Sequence, residues 1–198
     1  MTTPRTLRIG TWLLVLLPAV HIAVGLSRNA LGPDPVEALM TLSGIWALRL
    51  LLLTLAMTPL QRLFGWAWPL VIRRELGLAA FGYGLSHLLA FLVFDQNLDP
   101  VAAWREIVDH PAVWLGMLAL VLLLPLAMTS TRASIRRLGA NWKRLHRLIY
   151  PAAILASLHF AFQVKADLTE PMLYAGMLIL LFLLRLPRSR PARQTTIR

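Results

Sequence analysis

The stretch WKRLHRLIYPAAILASLHFAF, residues 142–162, decides how the chain is read. Most of it is apolar enough to sit in hydrocarbon, yet two histidines stand in it thirteen positions apart. An ionisable side chain in a bilayer costs free energy, so each one marks a candidate functional site. His146 lies at the basic edge of the stretch, and His159 lies deep among aliphatic and aromatic residues.

Working outward, this run of roughly 144–164 is one of six, with 9–27, 43–61, 75–94, 112–129 and 171–187. A membrane helix needs about 20 apolar residues. With 58% hydrophobic and only 15% charged residues in 198, six such helices use up nearly the whole chain. The pattern predicts an all-α polytopic membrane protein, a six-transmembrane-helix bundle forming one domain over 1–187. The basic, proline-containing end, 188–198, is predicted to be disordered. The first run lacks a small-residue cleavage site and is expected to be a retained helix. No repeat argues for an inverted-repeat transporter.

The formal charge of +11 would suggest nucleic acid in a soluble protein. Here it sorts by loop. With the N-terminus inside, sixteen of the twenty basic residues fall on the cytoplasmic side, and eight of the nine acidic residues fall outside, Glu75 being the exception. The positive-inside rule then predicts both termini in the cytoplasm, with lipid rather than nucleic acid as the surroundings. The absence of cysteine excludes disulfides, iron–sulfur clusters, thiolate zinc sites and c-type haem attachment.

His87, in GYGLSHLLAF, lies about 18 Å along the third span from Glu75, and His159 about 22 Å along the fifth from Arg144. Both spans run inside to outside, so the two imidazoles share a depth. Two readings stand: axial ligands of one haem iron, or histidines hydrogen-bonded to backbone or serine across helices. Gly82 and Gly84 make room for a flat macrocycle or for close helix packing. His146 is about 20 Å from His159 along an ideal helix and points about 140° away, unless Pro151 turns the helix. The place below His87 holds Arg73 and Arg74, so His146 lacks an opposing histidine. It suits a second haem, a flavin or quinone headgroup, or an interfacial anchor. Arg49 suits a haem propionate or snorkels to the outer interface. His21 is expected to pack at the interface, and His110 to be solvated.

LGPDPVEAL (31–39), GIWALRLLLLTLAMTPLQRL (44–63), RRELGLAAFGYGLSHL (73–88), LAMTSTRASIRRLGANWKRLHRLIY (126–150) and LHFAFQVK (158–165) carry a resemblance. The run from Thr129 and Ser130 through Gly139 and Trp142 to His146 is its most specific part. The chain resembles the MsrQ/YedZ family, haem-binding membrane subunits of the periplasmic methionine sulfoxide reductase system, among the ferric-reductase-like transmembrane domains. The resemblance implies a b-type cytochrome of the bacterial inner membrane, with His87, His146 and His159 as the histidines carried over. It implies haem b, one or two per chain, and FMN as a further cofactor. It implies electrons from the quinone pool or a cytosolic flavin reductase, and a periplasmic molybdopterin-containing reductase as acceptor, where sulfoxide reduction takes place. Related domains hold two stacked haems with two histidines per helix, whereas the third span here has one. No G-x-G-x-x-G unit follows the last span, so the chain is not expected to oxidise a nicotinamide itself. From the residues alone, the rival class is a small transporter or metal-handling membrane protein using its intramembrane histidines. A structural membrane partner without a cofactor is the third.

Overall fold

The computed structural model describes residues 3–164 and 167–186. Lys165, the end of the sixth predicted span and the predicted tail 188–198 lie outside the described residues. The elements run α1 (Pro4–Ser27), α2 (Pro35–Phe64), α3 (Trp68–Ala90), a π turn (Phe91–Asp95), α4 (Pro100–Asp109), α5 (Pro111–Met128), α6 (Arg132–Leu138), α7 (Ala140–Leu145), a 3₁₀ turn (His146–Leu148), α8 (Ile149–Gln163) and α9 (Thr169–Leu183). The all-α prediction holds for the described residues.

Short turns set the helix starts. Proline needs no donor at the first helical position, and Pro4, Pro35, Pro100 and Pro111 open α1, α2, α4 and α5. The Asp34 carboxylate accepts from the amides of Val36 (3.0 Å) and Glu37 (2.9 Å), which starts α2 eight residues before the predicted span. Asp99 caps α4 in the same way. Gly65 ends α2 at φ 70°, in the left-handed region that glycine enters without strain.

Five helical segments are long and apolar enough to cross a membrane: Pro4–Ser27, Pro35–Phe64, Trp68–Asp95, Pro111–Met128 and Ala140–Gln163. Thr169–Leu183 is apolar but shorter. Leu13, Leu14 and Leu17 on α1 and Ile179, Leu180 and Leu183 on α9 point outward. Such a surface suits lipid and not water. The bundle is that of a multi-pass membrane protein.

The core lies where α2 meets α3, around Leu51, Leu55, Leu76 and Ala80, and continues through Ala153 of α8. Arg8 of α1 pairs with the buried Glu75 of α3 at 3.3 Å, so the one acidic residue on the basic side has its counter-ion. The Tyr83 hydroxyl donates to the Val15 carbonyl at 2.7 Å and joins the same two helices higher up.

The opening stretch is not one ideal helix. Pro151 has no amide hydrogen and its ring crowds the carbonyl four residues back. The chain meets this with the 3₁₀ turn His146–Leu148, which leaves Pro151 in the first turn of α8. Within this one span His146 therefore lies in the 3₁₀ turn and His159 in α8.

Two hairpins, α2–α3 and α5–α8, share one register. The His87 ring donates to the Met40 carbonyl and the His159 ring to the Ala112 carbonyl. Each acceptor precedes its histidine by 47 residues, and the second set follows the first by 72. The sequences agree along the same shift: GIWALRLLL (44–52) matches GMLALVLLL (116–124) at six of nine positions. After a one-residue slip, LLLTLAMT (51–58) matches LLLPLAMT (122–129) at seven of eight. The repeat is parallel, since α2 runs with α5 and α3 with α8.

Candidate ligand cavity between two half-buried histidines

One end of the bundle gathers the starts of α2 and α5 and the ends of α3 and α8. There a cavity of about 560 Å³ opens between these four helices, within the size range of small-molecule sites. Its walls are apolar, with Leu48, Leu51, Leu120, Leu123 and Phe160 among them. Carboxylate-bearing residues, Asp34, Glu37, Asp95 and Glu106, stand at the helix ends around it.

His87 and His159 both line this cavity. Nδ1 of His87 lies 2.8 Å from the Met40 carbonyl oxygen, with Ser43 Oγ at 3.5 Å. Nδ1 of His159 lies 2.6 Å from the Ala112 carbonyl oxygen. A carbonyl only accepts, so each Nδ1 carries the proton and donates it. In a neutral ring that leaves the Nε2 lone pair for another partner, the usual way a backbone carbonyl orients a metal-binding imidazole.

The ring centroids are 5.9 Å apart and the planes 74° apart. A metal–imidazole bond is about 2 Å. Two axial imidazoles on one metal therefore put their centroids roughly 6–7 Å apart. The observed spacing matches that within about an ångström, and both rings line the one cavity. Among the described residues no group of three or more His, Cys, Asp or Glu side chains is placed to hold a metal ion. Two imidazoles alone leave a metal's other positions unfilled, whereas a flat tetradentate macrocycle fills four of six. The residues present fit that kind of group.

Glycine gives the rings their place. A Cβ on Gly44 would sit 3.2 Å from His87 Nδ1, and one on Gly116 would sit 2.9 Å from Nδ1 and Cε1 of His159. Gly84 lines the cavity, and a Cβ there would meet Leu120 at 3.2 Å. Gly82 faces open space.

The other predicted residues go elsewhere. His146 lies toward the opposite end, where its ring stacks on Trp142 (centroids 3.9 Å, planes 27° apart) and its Nδ1 is 3.2 Å from the Trp142 carbonyl oxygen. The Trp142 indole donates to the Thr129 carbonyl at 3.0 Å, which ties Thr129, Trp142 and His146 together at this end. Arg49 donates to the Tyr174 hydroxyl at 2.7 Å and lies over the Trp46 ring at 5.2 Å. Neither lines the cavity. His21 is exposed on α1. His110 is exposed, 3.1 Å from Glu106. The carbonyls of Met40 and Ala112 and the glycines 44 and 116 were not singled out from the sequence. The 72-residue shift is the signal that finds them.

The model of the ferric reductase like transmembrane component matches residues 43–157, which hold the whole of α3 and α5 and most of α2 and α8. A protein-methionine-sulfoxide reductase heme-binding subunit MsrQ of Rhodospirillum rubrum is 47% identical over 180 residues, covering 90% of this chain and 86% of that one. Its namesake in Azospira oryzae is 47% identical over 184 residues, covering 90% and 79%. That of Xanthomonas campestris pv. campestris strain 8004 is 50% identical over 170 residues, covering 86% and 78%. With a fold, a paired-histidine cavity and likenesses that run over most of both chains, the chain belongs to the MsrQ family of ferric-reductase-like transmembrane proteins.

Proposed function

We propose that this chain is a b-type cytochrome subunit that carries electrons across the bacterial inner membrane to a periplasmic methionine sulfoxide reductase. The observation that carries the proposal is the His87–His159 pair: two rings in one apolar cavity, each with Nδ1 committed to a carbonyl and Nε2 free. The relatives' names, as heme-binding subunits, support the same choice.

The chain is taken to cross the membrane six times, with both termini in the cytoplasm. The basic residues support this, since the end holding Arg62, Arg73 and Arg185 would face inward and the histidine end the periplasm. Helix α9 covers about 22 Å at 1.5 Å per residue and is taken as the sixth crossing.

Haem b, when bound, supplies a one-electron couple. The chain's own residues do the rest. His87 and His159 would hold it through their Nε2 nitrogens, while the Met40 and Ala112 carbonyls keep the Nδ1 protons and make the rings better donors. The leucine-lined walls keep water away, which tunes the potential. One haem per chain is the count these residues support, because His146 is stacked on Trp142 and meets no second histidine. The donor, a membrane quinol or a cytosolic flavin reductase, delivers at the arginine end. The acceptor is a molybdopterin-containing reductase that docks at the histidine end and reduces the sulfoxide.

A reduced-minus-oxidised visible spectrum of the purified protein tests this. Sharp Soret and α bands are expected, and they should vanish in both His87→Ala and His159→Ala while surviving His21→Ala. Their absence from haem-replete wild-type protein would sink the proposal. Haem extraction should return one haem per chain.

A further inference from the structure

Both histidines sit against a glycine one helical turn after the carbonyl they bond: Met40 then Gly44, Ala112 then Gly116. In each case the three nearest heavy atoms that a Cβ would meet all belong to the imidazole. At Gly116 the distance is 2.9 Å to two ring atoms, which real Cβ contacts essentially never show. At Gly44 it is 3.2 Å, tight enough that the ring must give. The same relation thus occurs twice, 72 residues apart, on different helices. Elsewhere along α2 and α5 the repeat keeps mostly alanine and leucine, residues that favour a helix more on propensity. Helix packing does not account for the two glycines, because the backbone approach they permit is that of an imidazole edge and not of another helix.

We propose that Gly44 and Gly116 are positioning residues. They let each imidazole lie edge-on against a helix backbone, bonded to that helix's carbonyl, and so fix the two ring planes 74° apart. The inference rests on the haem-binding proposal above and goes beyond it. It assigns to two glycines the ligand orientation that sets the iron's electronic state. Ring orientation and the Nδ1 hydrogen bond are both levers on an axially ligated iron. Crossed imidazole planes split the iron d orbitals differently from parallel planes, and the ferric low-spin g-values report which is present.

The variants are Gly44→Ala, Gly116→Ala and, as a control, Gly82→Ala, whose Cβ would meet nothing within 4 Å. Each is purified in its membrane-extracted form with haem content measured. Ferric electron paramagnetic resonance and the midpoint potential are then read. Wild type should give the strongly anisotropic low-spin signal of crossed planes. Gly116→Ala should displace that signal and shift the potential most, and Gly44→Ala should do so less, in the order of the two distances. Gly82→Ala should do neither. Loss of haem from Gly116→Ala with retention in Gly82→Ala also supports the assignment, and Gly44→Ala then carries the graded test. Wild-type signals and potentials in both haem-replete glycine variants would overturn it, as would an equal shift in Gly82→Ala. A wild type with no haem at all would instead be a failure of the haem-binding proposal, and is told apart by the optical spectrum.

Discussion

The two hairpins α2–α3 and α5–α8 agree at one end and part at the other. At the histidine end each presents the same carbonyl, glycine and imidazole. At the arginine end α2 carries Pro59, which has no amide hydrogen to give the Leu55 carbonyl. Arg185, just past α9, fills that gap, donating to the Leu55 carbonyl from Nε and Nη2 and to the Tyr150 hydroxyl from Nη1 at 2.9 Å. On α5 the corresponding Leu126 carbonyl accepts from Ser130 Oγ, and the nearby Thr129 carbonyl takes the Trp142 indole. Where the second hairpin has His146, the first has Arg74, 72 positions earlier. The repeat supplies a matched pair of imidazoles at one end only. That is the physical reason for proposing one haem between the hairpins and none below it.

The comparison breaks most visibly at the imidazoles. His87→Ala and His159→Ala are expected to cost the same, complete loss of the low-spin optical spectrum, because each removes one of the two nitrogens proposed to hold the haem iron. His146→Ala should keep the spectrum and the haem stoichiometry of wild type. A spectrum lost on His146→Ala would show that the arginine end also holds a ligand and that the asymmetry drawn above is false.

Next in size is the Arg185 contact. Arg185→Leu leaves the Leu55 carbonyl with no donor inside the bundle, and a buried polar group without its partner costs about 1–3 kcal/mol. Thermal unfolding in detergent should show a loss of that order. Pro59→Ala returns an amide to the helix and gives Leu55 an intrahelical donor. In the Pro59→Ala background the cost of Arg185→Leu should therefore shrink, a coupling on the order of 1 kcal/mol in a double-mutant cycle. Strict additivity would mean that Arg185 does not act through the carbonyl that proline frees.

The sequence made one level of this legible and hid another. Long apolar runs exposed the spans because a bilayer demands length and leaves little choice of residue. The depth match of His87 and His159 followed from rise per residue alone, and the structure brings those two rings together. Boundaries were less visible. Helix α2 begins early because Asp34 caps it, and α4 and α6 are short helices in segments too polar to register as spans. The break at His146–Leu148 answers a local conflict between Pro151 and the helix behind it, and only the direction of that conflict could be read. The repeat was hidden by composition. In leucine-rich helices most shifts align leucine with leucine, so the informative matches, Gly44 with Gly116 and His87 with His159, are few among many trivial ones. Backbone carbonyls carry no sequence signal at all, yet they are what orient both rings.

The smallest effect separates the two roles that Trp142 plays at the asymmetric end. Its indole nitrogen donates to the Thr129 carbonyl, and its ring face stacks on His146. Trp142→Phe keeps an aromatic face and removes the donor. Hydrogen bonds between membrane helices average about 0.6 kcal/mol, so unfolding should shift by that order and no more. Trp142→Leu removes the stack as well, which adds roughly 0.5–1.5 kcal/mol for a lost aromatic pair. Neither variant should move the haem spectrum, because the pair lies at the far end of α8 from His159. If Trp142→Phe changed the midpoint potential while leaving stability alone, the His146 end would be coupled to the cavity through the 3₁₀ turn, and the two ends of the bundle could no longer be treated as independent.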